Sequence, residues 1–373
     1  MTSSPADLDA GSSAGSSADH YAGSGDTSHH GPHRRQRATI GVLALLCIVA
    51  VFAALAAGRY TVPVNEIVRM LLGQVLPLET TWYPQEKSVV LDVRLPRVLL
   101  SLLIGAGLAV TGAACQGVFQ NPLASEHILG ISSGASFGGA LVLLLGLGST
   151  ALVAGSFLGG VAALVLVLAI ARTARGLPLL VIILAGTVVG AMFNAFVSFI
   201  TYIADPDDTL PTIVFWLMGS LASADYGKVL TALVPVAVGV TVITALRWRL
   251  NILSMGDDDA RSLGVDPRTL RTVLLTAVAL TTAGAVAVAG VIGWVGLVVP
   301  HLARMLLGTS DNRFIIPASA LLGGLYLTVV DTLSRTISPT ELPIGILTAV
   351  IGAPFFIILL IRDRKQIWGG DQQ

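Results

Sequence analysis

TVLLTAVALTTAGAVAVAGVIGWVGLVVPHLA, residues 272–303, holds no Asp, Glu, Lys or Arg across its 32 positions. As one helix it would run roughly 48 Å, at ~1.5 Å per residue. A bilayer's hydrocarbon core is only ~30 Å thick. Gly284, Gly290, Gly293 and Gly296 lie along this stretch, so the pattern predicts a break and two spans rather than one. Every later segment inherits its orientation from that choice.

Further uncharged windows run over 38–58, 98–125, 127–171, 176–204, 229–246, 314–330 and 342–361. A helical span needs about 20 apolar residues. The 127–171 window is long enough for two helices, with a turn expected near Gly146, Gly148 and Ser149. Dividing both long windows gives ten spans. With the N-terminus inside, 15 of the 22 Lys and Arg then face the cytoplasm. Leaving 272–303 whole moves Arg304, Arg313 and the C-terminal cluster outside and erases the bias, at 11 against 11. The excess of cations on cytoplasmic loops therefore favours ten spans with both termini inside.

Composition agrees. Only 12% of the 373 residues are charged and 54% are hydrophobic, whereas soluble domains carry about 25% charge. A soluble globular enzyme, a disordered chain and a fibrous one are excluded. A net charge of zero gives no sign of a nucleic-acid partner. Cys47 and Cys115 both lie in apolar runs, against a disulfide framework or zinc site. Residues 1–37 are rich in Ser, Gly, Ala and Asp, and read as a disordered polar tail. Its histidines, His20, His29, His30 and His33, lack acidic or Cys partners at ligand spacing. Residues 38–365 form the membrane domain, and 366–373 a short cytoplasmic tail.

Small residues recur four apart at Gly105/Ala109/Ala113, Gly134/Gly138, Gly155/Gly159 and Gly186/Gly190. Such faces let helix backbones approach closely in lipid. Ion-coupled carriers place ionisable groups near mid-membrane. Here the candidates, Asp92, Glu126, His127, His301, Asp331 and Glu341, fall at span ends. The only Gly-Lys, Gly227-Lys228, lacks the rest of a nucleotide-binding loop. No HExxH or Ser/His arrangement marks a membrane-embedded enzyme. Active transport would need energy from another polypeptide.

Two loops suggest where partners could act. RWRLNILSMGDDDARSLGVDPRTLR, 247–271, predicts a short helix capped by Asp257. Asp257, Asp258 and Asp259 suit its first turn, Ala260, Arg261 and Leu263 follow, Gly264 stops it and Pro267 opens the next helix. On the outer side, Arg94 and Arg97 of RLPR run against the charge bias and read as anchors for carboxylates. Residues 208–228 are too broken for a span and predict an interfacial helix with Phe215 and Trp216 at headgroup level.

Eight ordered blocks carry a family resemblance. They are RLPR (94–97), GAACQGVFQNPLA (112–124), LGISSGAS (129–136), LAG (184–186), FWLMGSL (215–221), LSMGDDDARSLGV (253–265), GVIGWVGLVVPHLAR (290–304) and ELPIGILTAVIGAPFF (341–356). In them the chain resembles the FecCD-type permease subunits of ABC importers for iron-siderophore, haem and cobalamin. The resemblance implies a ten-helix, non-enzymatic subunit of the bacterial cell membrane, paired with a second copy or a paralogue around a shared pathway. It implies no cofactor on this chain. ATP and Mg would be used by two cytoplasmic ATPase subunits docked on the Asp257–Gly264 helix. An extracytoplasmic binding protein would dock on Arg94, Arg97 and Arg335 and hand over substrate by alternating access. Leu177, Pro178, Leu179 and Leu180 would form a cytoplasmic gate. A ferric siderophore is the expected substrate, with cobalamin and haem as alternatives, and a stand-alone secondary transporter as the rival class. Where family members commonly carry Asp-Pro after NPLA, this chain has Ser125-Glu126, and Ser125 is expected to cap the third span.

Overall fold

The computed structural model describes residues 32–367 except 59, 78, 174–178 and 339. Among the described residues no strand forms, and seven helices are long and apolar enough to cross a membrane. They are α1 (Pro32–Ala56), α4 (Leu95–Val118, continuous with the turns from Pro84), α6 (Ser149–Thr173), α7 (Leu179–Ile203), α9 (Tyr226–Leu253), α11 (Pro267–Ala289) and α13 (Asn312–Thr336). Three shorter apolar helices accompany them: α5 (Ile131–Leu144), α12 (Val295–Leu307) and the start of α14 (Ile344–Ile367). Short helices α2 (Val64–Leu72), α3 (Pro84–Lys87), α8 (Thr209–Leu217) and α10 (Asp257–Ser262) join them.

Both long windows divide where expected. The first breaks at 145–148, between α5 and α6. The second breaks at 290–294, between α11 and α12, with Gly290 at φ +70 and Trp294 at φ +71. Non-helical backbone at membrane depth survives only where protein satisfies it. Three irregular segments do so here for one another. The Ser220 amide donates to Ala289 O (2.8 Å), Ile344 N–H to Gly219 O (3.0 Å) and Gly345 N–H to Met218 O (3.0 Å).

The polar tail ends earlier than composition suggests, since residues 32–37 are already helical. Pro32 suits a helix start, and Arg and Gln extend a helix readily once the apolar span has nucleated it. Residues 1–31 and 368–373 of the two tails, with His20, His29 and His30, lie outside the described residues.

α4 and α11 are the centre, with 78% of each apolar window buried. α13, α9 and α12 pack on α4; α9, α6 and α5 pack on α11; α1 lies against α13. The outer helices keep large aliphatic side chains such as Leu158, Val165 and Val234 exposed, as lipid contact requires. Gly134/Gly138 and Gly155/Gly159 meet each other, Gly105 meets Gly323 of α13, and Gly186 and Gly190 meet the 128–130 turn. A Cβ on Gly138 would lie 2.0 Å from Gly155 O, and one on Gly105 would lie 2.2 Å from Gly323 O. Packing at this range relies on dispersion between backbones.

Ser125 does not cap the third span. It precedes a 3₁₀ turn, Glu126–Leu129, without a side-chain bond, and α5 starts after the left-handed Gly130. Tyr226 begins α9 after Asp225, whose Oδ1 accepts the Lys228 amide at 2.8 Å. α11 begins after Asp266, which accepts the amides of Arg268 and Thr269 (3.2 Å each) and the Thr269 hydroxyl (2.5 Å). The hydroxyl, then the amides, hold the Asp266 carboxyl below its usual range. A depressed carboxylate stabilises the fold above its unfolded pKa, ~3.9, and loses that contribution as pH falls through the folded value. The protection factors of the Arg268 and Thr269 amides, relative to intrinsic exchange, should therefore fall below about pH 4 in the parent chain. In Asp266→Asn that pH response should disappear.

Candidate functional site

Two ends of the bundle carry the polar chemistry. At the end where α1 finishes and α4 begins, the three arginines expected as surface anchors converge, but they are buried or nearly so. Arg94 and Arg97 are 5% and 6% exposed, and the Arg335 side chain 9%. Arg94 donates to Leu55 O (2.7 Å), Ala56 O (3.2 Å) and Tyr60 O. Arg335 donates to Ala57 O (2.8 Å) and Ala54 O. Together they satisfy the last carbonyls of α1, which no residue of that helix can reach, and place positive charge at its negative end. Arg97 donates through Nε to Asp331 (2.8 Å) and through Nη1 to Glu341 (3.0 Å). Asp331 is 1% exposed and also faces Arg335 Nε at 3.8 Å.

Arg94, Arg97 and Arg335, expected as surface anchors, are thus turned inward in this chain. Their acceptors lie within the chain, because an unpaired guanidinium buried at these positions would cost several kcal/mol. They hold the surface at this end of the bundle from within rather than forming it. Sequence reasoning noted Asp331 and Glu341 only as span-end acids. Their positions, 234 and 244 residues from Arg97, gave no local signal of the pairing.

The π-helical turn Ser88–Arg94 leads into α4 directly before Pro96. Proline cannot keep a regular i−4 bond, and a wider turn accommodates its ring. That turn directs Arg94 and Arg97 inward.

At the opposite end, α10 stands between two glycines at positive φ, Gly256 (+117) and Gly264 (+76). Its N-cap is Gly256, not Asp257. Asp257 is engaged elsewhere, accepting two bonds from Arg271 (2.9 and 2.5 Å), whose side chain is only 3% exposed. Ala260 is fully buried and fixes the helix against its neighbours. Asp258 pairs with Arg261 at 2.9 Å on the open side, and Asp259 accepts the Ser262 hydroxyl at its carbonyl (2.7 Å). Met255 and Leu263 are 63% and 58% exposed. The result is a rigidly held knob with two apolar side chains beside exposed charge.

Leu177 and Pro178 of the expected gate lie outside the described residues. Leu179 starts α7 packed on the core, and Leu180 is 65% exposed. Of the expected interfacial pair on α8, Phe215 is exposed, while Trp216 lies over Gly139 of α5. Glu126 is a site residue that spacing did not reveal as buried. It is 1% exposed, its Oε2 has no hydrogen-bond partner, and a Cβ on Gly296 would fall 2.1 Å from it. Among the described residues no His, Cys, Asp and Glu group has metal-site geometry.

Comparison with known proteins places this arrangement. The profile of the FecCD transport family matches residues 46–362. The chain is 40% identical to the molybdate import system permease protein MolB of Haemophilus influenzae, over 87% of this chain and 95% of that one. It is 40% identical to the hemin transport system permease protein HmuU of Yersinia pestis, covering 74% and 84%. A solved transporter described as of the metal-chelate ABC type, in an inward-facing conformation, superposes with TM-score 0.79 at 37% identity. That match covers 87% of this chain and 99% of the other. With a family match over most of its length, and relatives that are permease subunits at this identity, the chain is a multi-pass membrane protein that belongs to the FecCD transport family.

Proposed function

We infer that this chain is the permease subunit of an ATP-driven importer, with ten spans and both termini in the cytoplasm. The observation that carries the reading is α10, a buried-root, exposed-tip knob on the cation-rich face of a chain with no nucleotide-binding loop of its own. ATP and Mg act on separate ATPase subunits seated there. Their closure pushes on Asp257–Gly264 and rocks the spans between inward and outward arrangements. A second copy or paralogue pairs with the chain, and the pathway follows that interface. The outward residues of α7, Leu180, Leu184, Val188 and Phe199, offer an apolar face for it. Leu177–Leu180 gate the inner end. An extracytoplasmic binding protein docks on the opposite end, where the buried arginines hold the surface in shape and Glu341 remains partly exposed.

A ferric siderophore is the substrate we favour, since relatives include a probable iron chelatin transport permease of Helicobacter pylori at 40% identity and the metal-chelate type transporter. A second reading, an oxyanion such as molybdate, rests on the relative that this chain covers to 95%. Ligand titration of the cognate binding protein decides between them: nanomolar-range binding of the ferric chelate with none of molybdate supports the first, and the reverse pattern overturns it.

Uptake in proteoliposomes holding permease, ATPase and binding protein should require ATP. ATP-independent uptake by the permease alone would overturn the importer reading. Leu263→Asp should lower ATP-driven uptake at least about tenfold, while shifting stability by no more than about 0.5 kcal/mol, because that side chain has little to lose inside the fold. Uptake at the parental rate would remove α10 from the coupling path.

A further inference from the structure

We propose that the outer-leaflet half of this permease carries a built-in site for a phospholipid whose head bears both a phosphate and a primary ammonium, that is, a phosphatidylethanolamine. A groove of about 680 Å³ lies over α11 between α6 and α9, within the ~300–1,000 Å³ of small-molecule pockets. Its lining is sorted by depth. Along α9 it passes from Asp225 and Lys228 through Thr231 to Pro235 and Val238. Along α6 it passes from Ser149 and Thr150 through Val153 to Phe157. α11 runs the other way and contributes Ala287, Gly284 and then Leu280. All three helices therefore place polar or small groups at one end and hydrocarbon further in, the same order as head and tail in a lipid. In the ten-span orientation that polar end is the outer one, and the assignment to the outer leaflet rests on that orientation.

The head end is charge-matched to a zwitterion. The Lys228 ammonium donates to Ser223 Oγ at 2.6 Å, which uses one of its three donors and leaves the others for a phosphate oxygen. The neighbouring Asp225 side chain, exposed at the groove, can accept from an ammonium three or four atoms away from that phosphate. A quaternary ammonium has no N–H to give, and a glycerol head has no cation. A second cavity of about 510 Å³, under Trp216 and Phe215 of α8, meets the first at Ser149, Val153, Lys228 and Ala287. Two apolar cavities that join at one cation suit two acyl chains joined at one head.

The test is native mass spectrometry of the full-length permease released from vesicles of equal parts phosphatidylethanolamine, phosphatidylglycerol and phosphatidylcholine. The parent should retain the ethanolamine lipid about tenfold over either competitor. Lys228→Gln and Asp225→Asn should each abolish that preference; Asn still caps the helix, so α9 is preserved. Val238→Trp, which fills the groove from its exposed lip, should lose the retained lipid altogether, and Ala154→Phe should repeat the result from the opposite wall. Unchanged melting curves establish that the variants fold. Equal retention of all three lipids, or an unchanged complement in the variants, overturns the proposal. Displacement of the lipid by inorganic phosphate alone overturns it in favour of a free-anion site. Loss of uptake in Val238→Trp with the lipid still bound assigns the groove to the substrate route instead. An ATP-independent result for uptake would overturn the importer reading while leaving these lipid measurements intact.

Discussion

Asp331→Ala should cost about 3–5 kcal/mol, close to the whole stability margin of many proteins. The carboxylate is 1% exposed and faces two guanidinium groups, Arg97 at 2.8 Å and Arg335 at 3.8 Å. Its removal leaves both cations in a nearly water-free end of the bundle. Glu341 still holds Arg97, and the α1 carbonyls still hold Arg335, so the loss is not unlimited. Asp331→Asn should be milder, because it keeps an acceptor for Arg97. The double variant Arg97→Met/Asp331→Leu should regain most of the loss, since replacing a buried ion pair with packed apolar groups is often neutral. Thermal unfolding of the purified permease reads all three. A drop under 1 kcal/mol for Asp331→Ala would mean that water reaches the cluster, and the arginines would regain their standing as surface anchors.

Gly112→Val should prevent α4 and α12 from packing at all. A Cβ on Gly112 would sit 1.8 Å from Gly296 O and 2.4 Å from its carbonyl carbon. Overpacking a core usually costs about 1–3 kcal/mol because side chains yield. Here the obstacle is backbone, next to the buried Glu126, so the helices themselves must separate. Folded, monodisperse protein should fall to a small fraction of the parental yield in size-exclusion chromatography, whereas Gly148→Val, with nothing within 4 Å of its added atom, should express normally. Equal yields would show that α4 and α12 are not in contact.

The helix breaks and the small-residue faces were legible in the sequence because each leaves a local trace. A charge marks a span end, a glycine run marks 290–294, and a four-residue period marks the α5–α6 contact. The arginine cluster was legible only in part. Its members could be picked out by their position against the charge bias, but burial is decided by partners hundreds of positions away, and no periodicity encodes those. The same holds for Glu126. Its spacing resembled any loop acid, and only the third dimension lays it against Gly296. Asp257 failed as a cap for a related reason: the carboxylate that suits a helix start locally is drawn to the buried Arg271 fourteen residues on.

The cap on α1 has a consequence for how the protein is made. The carbonyls at the end of the first span find their donors on Arg94 and Arg335, the latter 278 residues downstream of Ala57. During synthesis the chain must therefore be made through residue 335 before this helix end has all its donors. Until then that end stays open, held only by water, headgroups and Arg94. A chain that ends before residue 335 would leave the Ala54 and Ala57 carbonyls without the donor that Arg335 supplies.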